Sequence, residues 1–236
     1  MVDLQYFTIK QAKCISRPSQ KTYMIKECRK MHLNKIIRQM TMNEVNFLQQ
    51  VSQINIYSPI EIYDDQDKLY LVFSDLEGPS LLEMVNKMIE STQYFSNEQI
   101  ATIIYQIAAF LNFIHVKSYI HRDIKPENIS FQKKEDMRTL KITSFLTTKM
   151  KEGDFMVGIN GSYLYMAPEM ILGKPYDHKV DIWSLGIILY MLIAKKHPFG
   201  KFDNEVSRQN LKDKLIEKFN FVPKEDLIDF EAEEFQ

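Results

Sequence analysis

Functional groups are densest in one octapeptide of this chain, residues 121–128, which reads His-Arg-Asp-Ile-Lys-Pro-Glu-Asn. Asp123 could accept a proton from a hydroxyl group as a general base, and Lys125 could neutralise a phosphoryl group during its transfer. Asn128 could bind a divalent cation through its amide oxygen. A solvated polar loop after a helix is the alternative interpretation. The combination of a base, a cation and an amide in one short segment favours phosphoryl-transfer chemistry.

This octapeptide resembles the catalytic loop of eukaryotic protein kinases, and Lys125 stands at the position typical of Ser/Thr-directed members. The resemblance implies that Asp123, Lys125 and Asn128 are catalytic residues and that Asn128 also binds a metal ion. It implies structural roles for His121 and Arg122. Across the chain, the motifs are most similar to the calcium/calmodulin-dependent and autophagy-initiating groups of Ser/Thr kinases.

Two charged residues upstream occur in the order that the family requires. Met24-Ile25-Lys26 resembles the strand whose lysine binds the nucleotide's phosphates, and Glu44 lies in a segment similar to the helix that supplies the lysine's carboxylate partner. Alone, an exposed lysine and glutamate would be solvated surface charges of little energetic consequence. Their order ahead of the catalytic loop predicts an ion pair between Lys26 and Glu44.

Residues 71–78 resemble the last strand of the small lobe and the hinge of a kinase. The resemblance implies that Phe73 is the bulky residue guarding the nucleotide pocket. It also implies that adenine would bond to the hinge backbone, so that Ser74 and Leu76 would act through main-chain groups.

Two later segments also match the family. Residues 161–169, Gly-Ser-Tyr-Leu-Tyr-Met-Ala-Pro-Glu, resemble the end of the activation segment, and residues 181–186 resemble the buried helix that anchors the large lobe through Asp181. The resemblance implies that the Ser162 hydroxyl bonds with Asp123 and Lys125.

The sequence departs from the family at the metal site. Where Asp-Phe-Gly is expected after a strand, the chain reads Ser144-Phe145-Leu146. A serine hydroxyl is a weak, neutral ligand for a hard cation that prefers carboxylate oxygen, so a metal ion would be poorly held. Leu146 replaces the glycine that lets this segment pivot. Phe145 is retained and is expected to pack into the core.

The expected phosphate and base contacts are altered as well. Counting back without gaps from the strand lysine places Leu4, Tyr6 and Ile9 at the positions of the glycine-rich loop, where residues without side chains let backbone N–H groups approach phosphate. In the adenine slot, Met24 stands where the family has a small alanine, and Ser130 stands where it has an apolar floor residue. Flexible Met24 would narrow the slot without closing it.

Two further departures concern the activation segment and the end of the chain. Gly158 occupies the position of the activating phosphothreonine in many relatives, so Arg122 is expected to lack its phosphate partner. The family's last helices, which supply an arginine for the glutamate at position 169, are expected to be absent. No arginine follows Arg208, so Glu169 is expected to be half-buried and unpaired, or solvated.

Hydrophobic periodicity predicts the elements that position these motifs. Residues 22–28 and 69–73 read as strands, and residues 42–51 read as a helix with Glu44 near its start. A capping box formed by Ser96 and Gln99 predicts the start of a long helix. Residues 119–178 read as irregular, a helix begins near Asp181, and another helix is expected within residues 203–219.

These elements predict an α+β, bilobal protein-kinase-like fold. The β-rich N-lobe would comprise residues 1–76, without a glycine-rich loop, and the mostly helical C-lobe would comprise residues 77–236, without the terminal helices.

Composition narrows the function classes further. The chain has 236 residues and a formal net charge of −1, which argues against a dedicated nucleic-acid binder. Its two cysteines, Cys14 and Cys28, are too few for a disulfide framework and predict a reducing, cytoplasmic compartment. The longest apolar stretch, residues 182–194, is shorter than the roughly 20 residues that span a bilayer, so no membrane association is expected.

Three functions remain open on these grounds. The chain could be a pseudokinase acting as a scaffold or allosteric partner, a weak or metal-atypical ATP-dependent Ser/Thr kinase, or a truncated product of little independent stability. Binding of ATP and Mg²⁺ is expected to be weakened, and the expected partner is a protein substrate or a protein partner. Loss of the metal carboxylate together with the glycine loop favours the pseudokinase.

Overall fold

The computed structural model describes residues 7–13, 22–200 and 212–217. It begins with a four-stranded antiparallel sheet of β1 (Phe7–Lys13), β2 (Thr22–Arg29), β3 (Glu61–Asp64) and β4 (Lys68–Ser74), in the order β1-β2-β4-β3. The predictions of strands at 22–28 and 69–73 are confirmed. In β4, buried and partly exposed side chains alternate, so one face of the sheet packs on the core.

A single helix, α1 (Lys35–Gln50), interrupts the sheet. The predicted bounds of 42–51 were wrong, because the helix begins at an Asn34 cap whose side chain accepts a hydrogen bond from the backbone N–H of Ile37. The buried face of α1 continues from Ile37 through Thr41 and Glu44, and these two polar residues interrupt the apolar stripe on which a periodicity argument depends. Glu44 consequently lies in the middle turns of α1 rather than near its start.

A buried glutamate on the other face of β2 ties the strands together. Glu27 accepts hydrogen bonds from Lys10 on β1 at 2.9 Å and from Arg29 at 3.3 Å, and it pairs with Lys68 on β4 at 3.1 Å. The hydrogen bonds from Lys10 and Lys68 lower the pKa of the Glu27 carboxyl to about 2. This residue is therefore ionised at any pH near neutrality and bridges three neighbouring strands.

Helices dominate the chain after the sheet. They are α2 (Leu81–Glu90), α3 (Asn97–Val116), the short α4 (Pro168–Ile171) and α5 (Lys179–Ala194). The Ser96–Gln99 capping box of α3 and the helix at Asp181 are confirmed. The helix expected within residues 203–219 lies mostly outside the described residues, but residues 212–217 are helical and Leu215 is buried.

By length and composition, α3 could cross a membrane, since it has 20 residues and a mean hydropathy of 1.4. This helix is longer than the apolar stretch at residues 182–194. Ile107, Phe110 and Ile114 of α3 are fully buried in the core, and the helix packs on α5. The core helix of a folded domain passes the same test of length and composition.

The prediction that residues 119–178 are irregular was wrong in part. Strands β5 (Tyr119–Ile120) and β8 (Lys149–Met150) pair with each other, as do β6 (Ile129–Lys133) and β7 (Asp136–Ile142). In the second pair, Ile129, Phe131, Leu140 and Ile142 alternate with less buried residues. This alternation is the period of a half-buried strand, but the runs are short and broken by charged residues.

The α+β kinase-like fold class is confirmed: a sheet-rich region comes first and a mostly helical region follows. The N-lobe and C-lobe were predicted to meet at residues 76 and 77. That point lies in the segment between the end of β4 and the start of α2.

Candidate active site

The ion pair predicted from sequence order is present. The Nζ atom of Lys26 on β2 donates to Oε2 of Glu44 on α1 at 2.6 Å, and both side chains are largely buried. The second carboxylate oxygen of Glu44 accepts a hydrogen bond from the backbone N–H of Phe145 at 3.1 Å. The ammonium group of Lys26 also lies 4.7 Å from the centre of the Phe7 ring. Glu44 therefore links the sheet to the segment that carries Ser144.

In the catalytic loop, Asp123 lies among hydrogen-bond donors. Its Oδ2 atom accepts from Nδ2 of Asn128 at 3.0 Å and lies 3.3 Å from Nζ of Lys125. Lys125 also donates to the Ser162 hydroxyl at 2.7 Å. The expected bond between Ser162 and Asp123 is not formed, and Asp123 Oδ1 is buried without a partner among the described residues. Asp123 thus keeps one acceptor atom unused.

Asp181 of α5 holds the backbone of this loop in place. Its fully buried carboxylate accepts from the backbone N–H groups of His121 at 2.9 Å and Arg122 at 2.8 Å. Nε2 of His115 lies 2.8 Å from the same carboxylate. Arg122 has a φ of +69°, which is unusual for a residue with a side chain, so these bonds hold a strained backbone.

His121 and Phe145 form an aromatic cluster beneath the loop. Burial lowers the pKa of the His121 imidazole below its ordinary value, so the ring is neutral in the folded chain. Phe145 is almost fully buried, 5.6 Å from the His121 ring, and it stacks on Phe47 of α1 at 5.0 Å. Phe145 packs into the core as expected.

Arg122 has partners other than a phosphate group. Its guanidinium group donates to the backbone carbonyl of Thr147, at 2.7 Å from Nε, and to the Tyr176 hydroxyl at 3.4 Å. Gly158, at the expected phosphorylation position, has a φ of +109°. The interactions of Arg122 within the described residues therefore require no modified residue.

A metal ion does not fit the described side chains well. Ser144 brings a neutral hydroxyl where the family has a carboxylate, and Asn128 uses its Nδ2 atom on Asp123, which leaves one amide oxygen. Among the described residues, no three His, Cys, Asp or Glu side chains are grouped to hold a metal ion. Leu146 packs against the core beside Ser144. A hard divalent cation would find few of the charged oxygen ligands it requires.

The residues expected to line the adenine slot, called the base slot below, lie on separate elements of the fold. Met24 on β2 stands opposite Phe73 on β4 in the sheet register, and Ser130 lies on β6. Leu76 and Met24 both pack against the core. At the hinge, the backbone carbonyl of Ser74 accepts a hydrogen bond from a side chain that sequence analysis did not identify, the hydroxyl of Tyr57.

Ile9 in β1 and Glu169 in α4 are two further positions singled out by the sequence. Ile9, which the gapless count places at the last glycine position of a phosphate loop, lies in β1 directly opposite Lys26; Leu4 and Tyr6 lie outside the described residues, so the placement of the loop stays a prediction. Glu169 is partly exposed, and its side chain bonds to no described residue.

Tyr57, His115 and Thr147 were missed as contributors to the site. The Tyr57 hydroxyl donates to a backbone carbonyl from a loop. A loop contact of this kind leaves no periodic pattern in the sequence. His115 had a signal, because it falls in the last turn of α3, just before the catalytic loop.

Comparison with known proteins agrees with this geometry. A model of the protein kinase domain matches residues 10–235. Sperm motility kinase 2B of Mus musculus is 32% identical over 77% of this chain and 36% of its own length. Calcium-dependent protein kinase 5 of Plasmodium berghei is 31% identical over 90% of this chain and 37% of its own length.

A third relative is calcium/calmodulin-dependent protein kinase type 1 of Macrobrachium nipponense, which is 30% identical over 66% of this chain and 44% of its own length. The chain thus spans less than half the length of each of these three relatives. The family model covers nearly the whole chain, and the motifs occur in the family's order. The chain belongs to the eukaryotic protein kinase family, among the kinases of Ser/Thr type.

Proposed function

We propose that this chain is a pseudokinase: a kinase domain that acts by binding another protein, as a scaffold or allosteric partner, with little or no phosphoryl transfer. One observation carries the proposal. Ser144 replaces the metal-binding carboxylate in a site whose other charged residues are present and in contact.

Charge supports this interpretation. Phosphoryl transfer depends on metal ions and cations that neutralise charge on the phosphoryl oxygens, and little other chemistry is required of the protein. Replacing a carboxylate by a hydroxyl removes a full negative charge from the metal's coordination shell. Lys26 and Lys125 keep their positive charges but cannot bridge two phosphate groups as a metal ion does.

The retained residues have a structural use without turnover. Glu44 joins β2 to the Phe145 backbone, and Asp181 joins α5 to the catalytic loop. Buried carboxylates with several hydrogen bonds are costly to leave unpaired, so these contacts favour one arrangement of the segments. Retention of the kinase motifs therefore does not require retention of activity.

Exposed apolar side chains in the segment before residue 161 support the binding of a protein partner. Phe155, Val157 and Ile159 are all exposed there. A cytoplasmic location, where such partners would be met, also remains part of the proposal.

A second candidate is a weak or metal-atypical ATP-dependent Ser/Thr kinase. The observation that favours it is that Lys125 and Asn128 hold Oδ2 of Asp123 while Oδ1 has no hydrogen-bond partner among the described residues, as expected of a general base that still has an acceptor to use.

A thermal-shift titration with ATP, with and without Mg²⁺ or Mn²⁺, tests the proposal. We expect ATP to bind with a dissociation constant near the millimolar range. Mg²⁺ or Mn²⁺ should leave this constant unchanged, because Asn128 is the one metal ligand of the family that the described site retains. The variant Lys26→Met is the matched control and should abolish any residual shift. Micromolar binding that depends strongly on the ion would contradict the proposal.

A further inference from the structure

Tyr57 occupies a position in the hinge region that no motif in the sequence assigns. It lies in the loop between α1 and β3, and its side chain is buried. Its ring stacks on the ring of Phe73, with centroids 4.6 Å apart and planes inclined by 15°. Its hydroxyl donates to the backbone carbonyl of Ser74, the residue that follows Phe73.

The backbone of Tyr57 is fixed by the neighbouring strand. Its N–H donates to the carbonyl of Ile142 on β7 at 3.0 Å, and the N–H of Ile142 donates to the carbonyl of Asn55 at 2.7 Å. The Asn55 side chain is itself bonded to the carbonyl of Leu140 at 3.0 Å. The phenol is therefore held against the hinge by an ordered segment and by ring stacking.

The two hinge groups that could bind a ligand therefore differ, because one already has a hydrogen-bond partner and the other has none among the described residues. The Ser74 carbonyl already accepts the Tyr57 hydroxyl, whereas the backbone N–H of Leu76 donates no hydrogen bond to the described residues. Burial, with a smaller contribution from Asp75, raises the pKa of the Tyr57 hydroxyl above its ordinary value, so the phenol remains a neutral donor.

We propose that Tyr57 determines which bases the slot accepts, by occupying the hinge acceptor that an exocyclic amino group would need. The slot then favours planar aromatic heterocycles that present an acceptor to the N–H of Leu76 and no donor to Ser74. Adenine carries such an amino group beside its ring nitrogen, and unsubstituted purine carries the nitrogen without it.

The energetics of one hydrogen bond set the size of the effect. To receive an amino group, Ser74 must release or share the Tyr57 hydroxyl, and a buried hydroxyl without a partner is unfavourable. A carbonyl oxygen has two lone pairs, so it either accepts both donors, which weakens each bond, or loses the Tyr57 hydroxyl; in both cases part of the gain from the new bond is offset. This inference rests on the proposed function, since it specifies the ligand class of the same base slot.

The test uses the full 236-residue chain and two nucleosides, adenosine and purine riboside, which differ only in the amino group. Binding is followed by NMR through the backbone amide of Leu76. Wild type should bind adenosine no more tightly than purine riboside. Tyr57→Phe keeps the ring and frees the carbonyl, so adenosine affinity should rise about three- to tenfold while purine riboside affinity stays unchanged.

Tyr119→Phe is the matched control. Tyr119 is also buried, and its hydroxyl makes one hydrogen bond, to Gln50 at 3.1 Å. Its replacement should change the affinity of neither nucleoside.

Two results would overturn the inference. The first is that the wild-type chain already binds adenosine severalfold more tightly than purine riboside, a result that can be observed without any variant. The other is equal adenosine affinity in wild type and a folded Tyr57→Phe, including no measurable binding by either. Nucleosides carry no phosphate, so these results are independent of phosphoryl transfer and cannot be confused with failure of the pseudokinase proposal.

Discussion

At the scale of single residues, the site combines an intact ion pair with a lost metal ligand. Lys26 and Glu44 are 2.6 Å apart, and Asp123 contacts Asn128 and Lys125, yet Ser144 carries no charge. The departure from the family's motif therefore lies at the expected metal position, while the charged groups that surround it remain in place.

The double variant Ser144→Asp with Leu146→Gly tests whether this defect alone prevents activity. It restores the metal carboxylate and the flexible backbone position. We expect phosphoryl transfer to a basic peptide to stay within about tenfold of wild type, because the expected phosphate loop would still lack glycines and Met24 would still narrow the adenine slot, so the nucleotide would remain poorly positioned. The measurement is transfer of labelled phosphate from ATP.

A large increase would contradict this expectation. If the double variant gains several orders of magnitude, and adding Asp123→Ala removes the gain, the chain is a nearly intact kinase that lacks one ligand.

The sequence predicts some of the contacts between these residues better than others. The pairing of Lys26 with Glu44 follows from motif order, because the family's spacing constrains both partners. The Ser162 hydroxyl was expected to bond with Asp123 as well as Lys125, but which of two nearby groups a rotatable hydroxyl meets depends on side-chain geometry that spacing does not contain. The contact of Tyr57 with the hinge likewise depends on the conformation of a loop, which residue spacing does not contain.

At the scale of elements, a close approach between the catalytic loop and the activation segment fixes their relative position. Gly161 has a φ of +106°, and a Cβ atom there would lie 2.2 Å from the carbonyl oxygen of Arg122 and 3.3 Å from Oδ1 of Asp123. Only glycine fits both the conformation and the space.

The variant Gly161→Ala is expected to destabilise the fold by about 2–4 kcal/mol, since it combines backbone strain with a clash against main chain. Gly173→Ala is the control: its φ is +69°, but nothing lies within 4 Å of the added Cβ. Strain alone predicts a loss of about 1 kcal/mol there. Urea unfolding measures both, and equal losses would show that the close approach does not constrain the loops.

The elements also show where periodicity stops being informative. The capped start of α3 and the apolar α5 were predicted because their patterns are long and uniform. The start of α1 was missed because polar Thr41 and Glu44 interrupt its buried face, and β6 and β7 were missed because each run is short. In these cases burial against distant parts of the chain, rather than local sequence, specifies the element.

At the scale of the whole molecule, one hydrophobic core connects the sheet to the helices. The largest cluster of buried side chains includes Leu71 of β4, Phe47 of α1, Phe110 of α3 and Leu192 of α5. The fold class was predictable because the kinase motifs occur in order along the chain. A loss of catalysis need not weaken such a core, so the domain can persist as a binding module.

The most direct test is a phosphoryl-transfer assay on the full wild-type chain, with ATP, a basic protein substrate, and either Mg²⁺ or Mn²⁺. The pseudokinase proposal predicts transfer at or barely above the background of a reaction without protein, with either ion. Robust transfer by wild type that is lost in Asp123→Ala would contradict it and establish the chain as an active kinase.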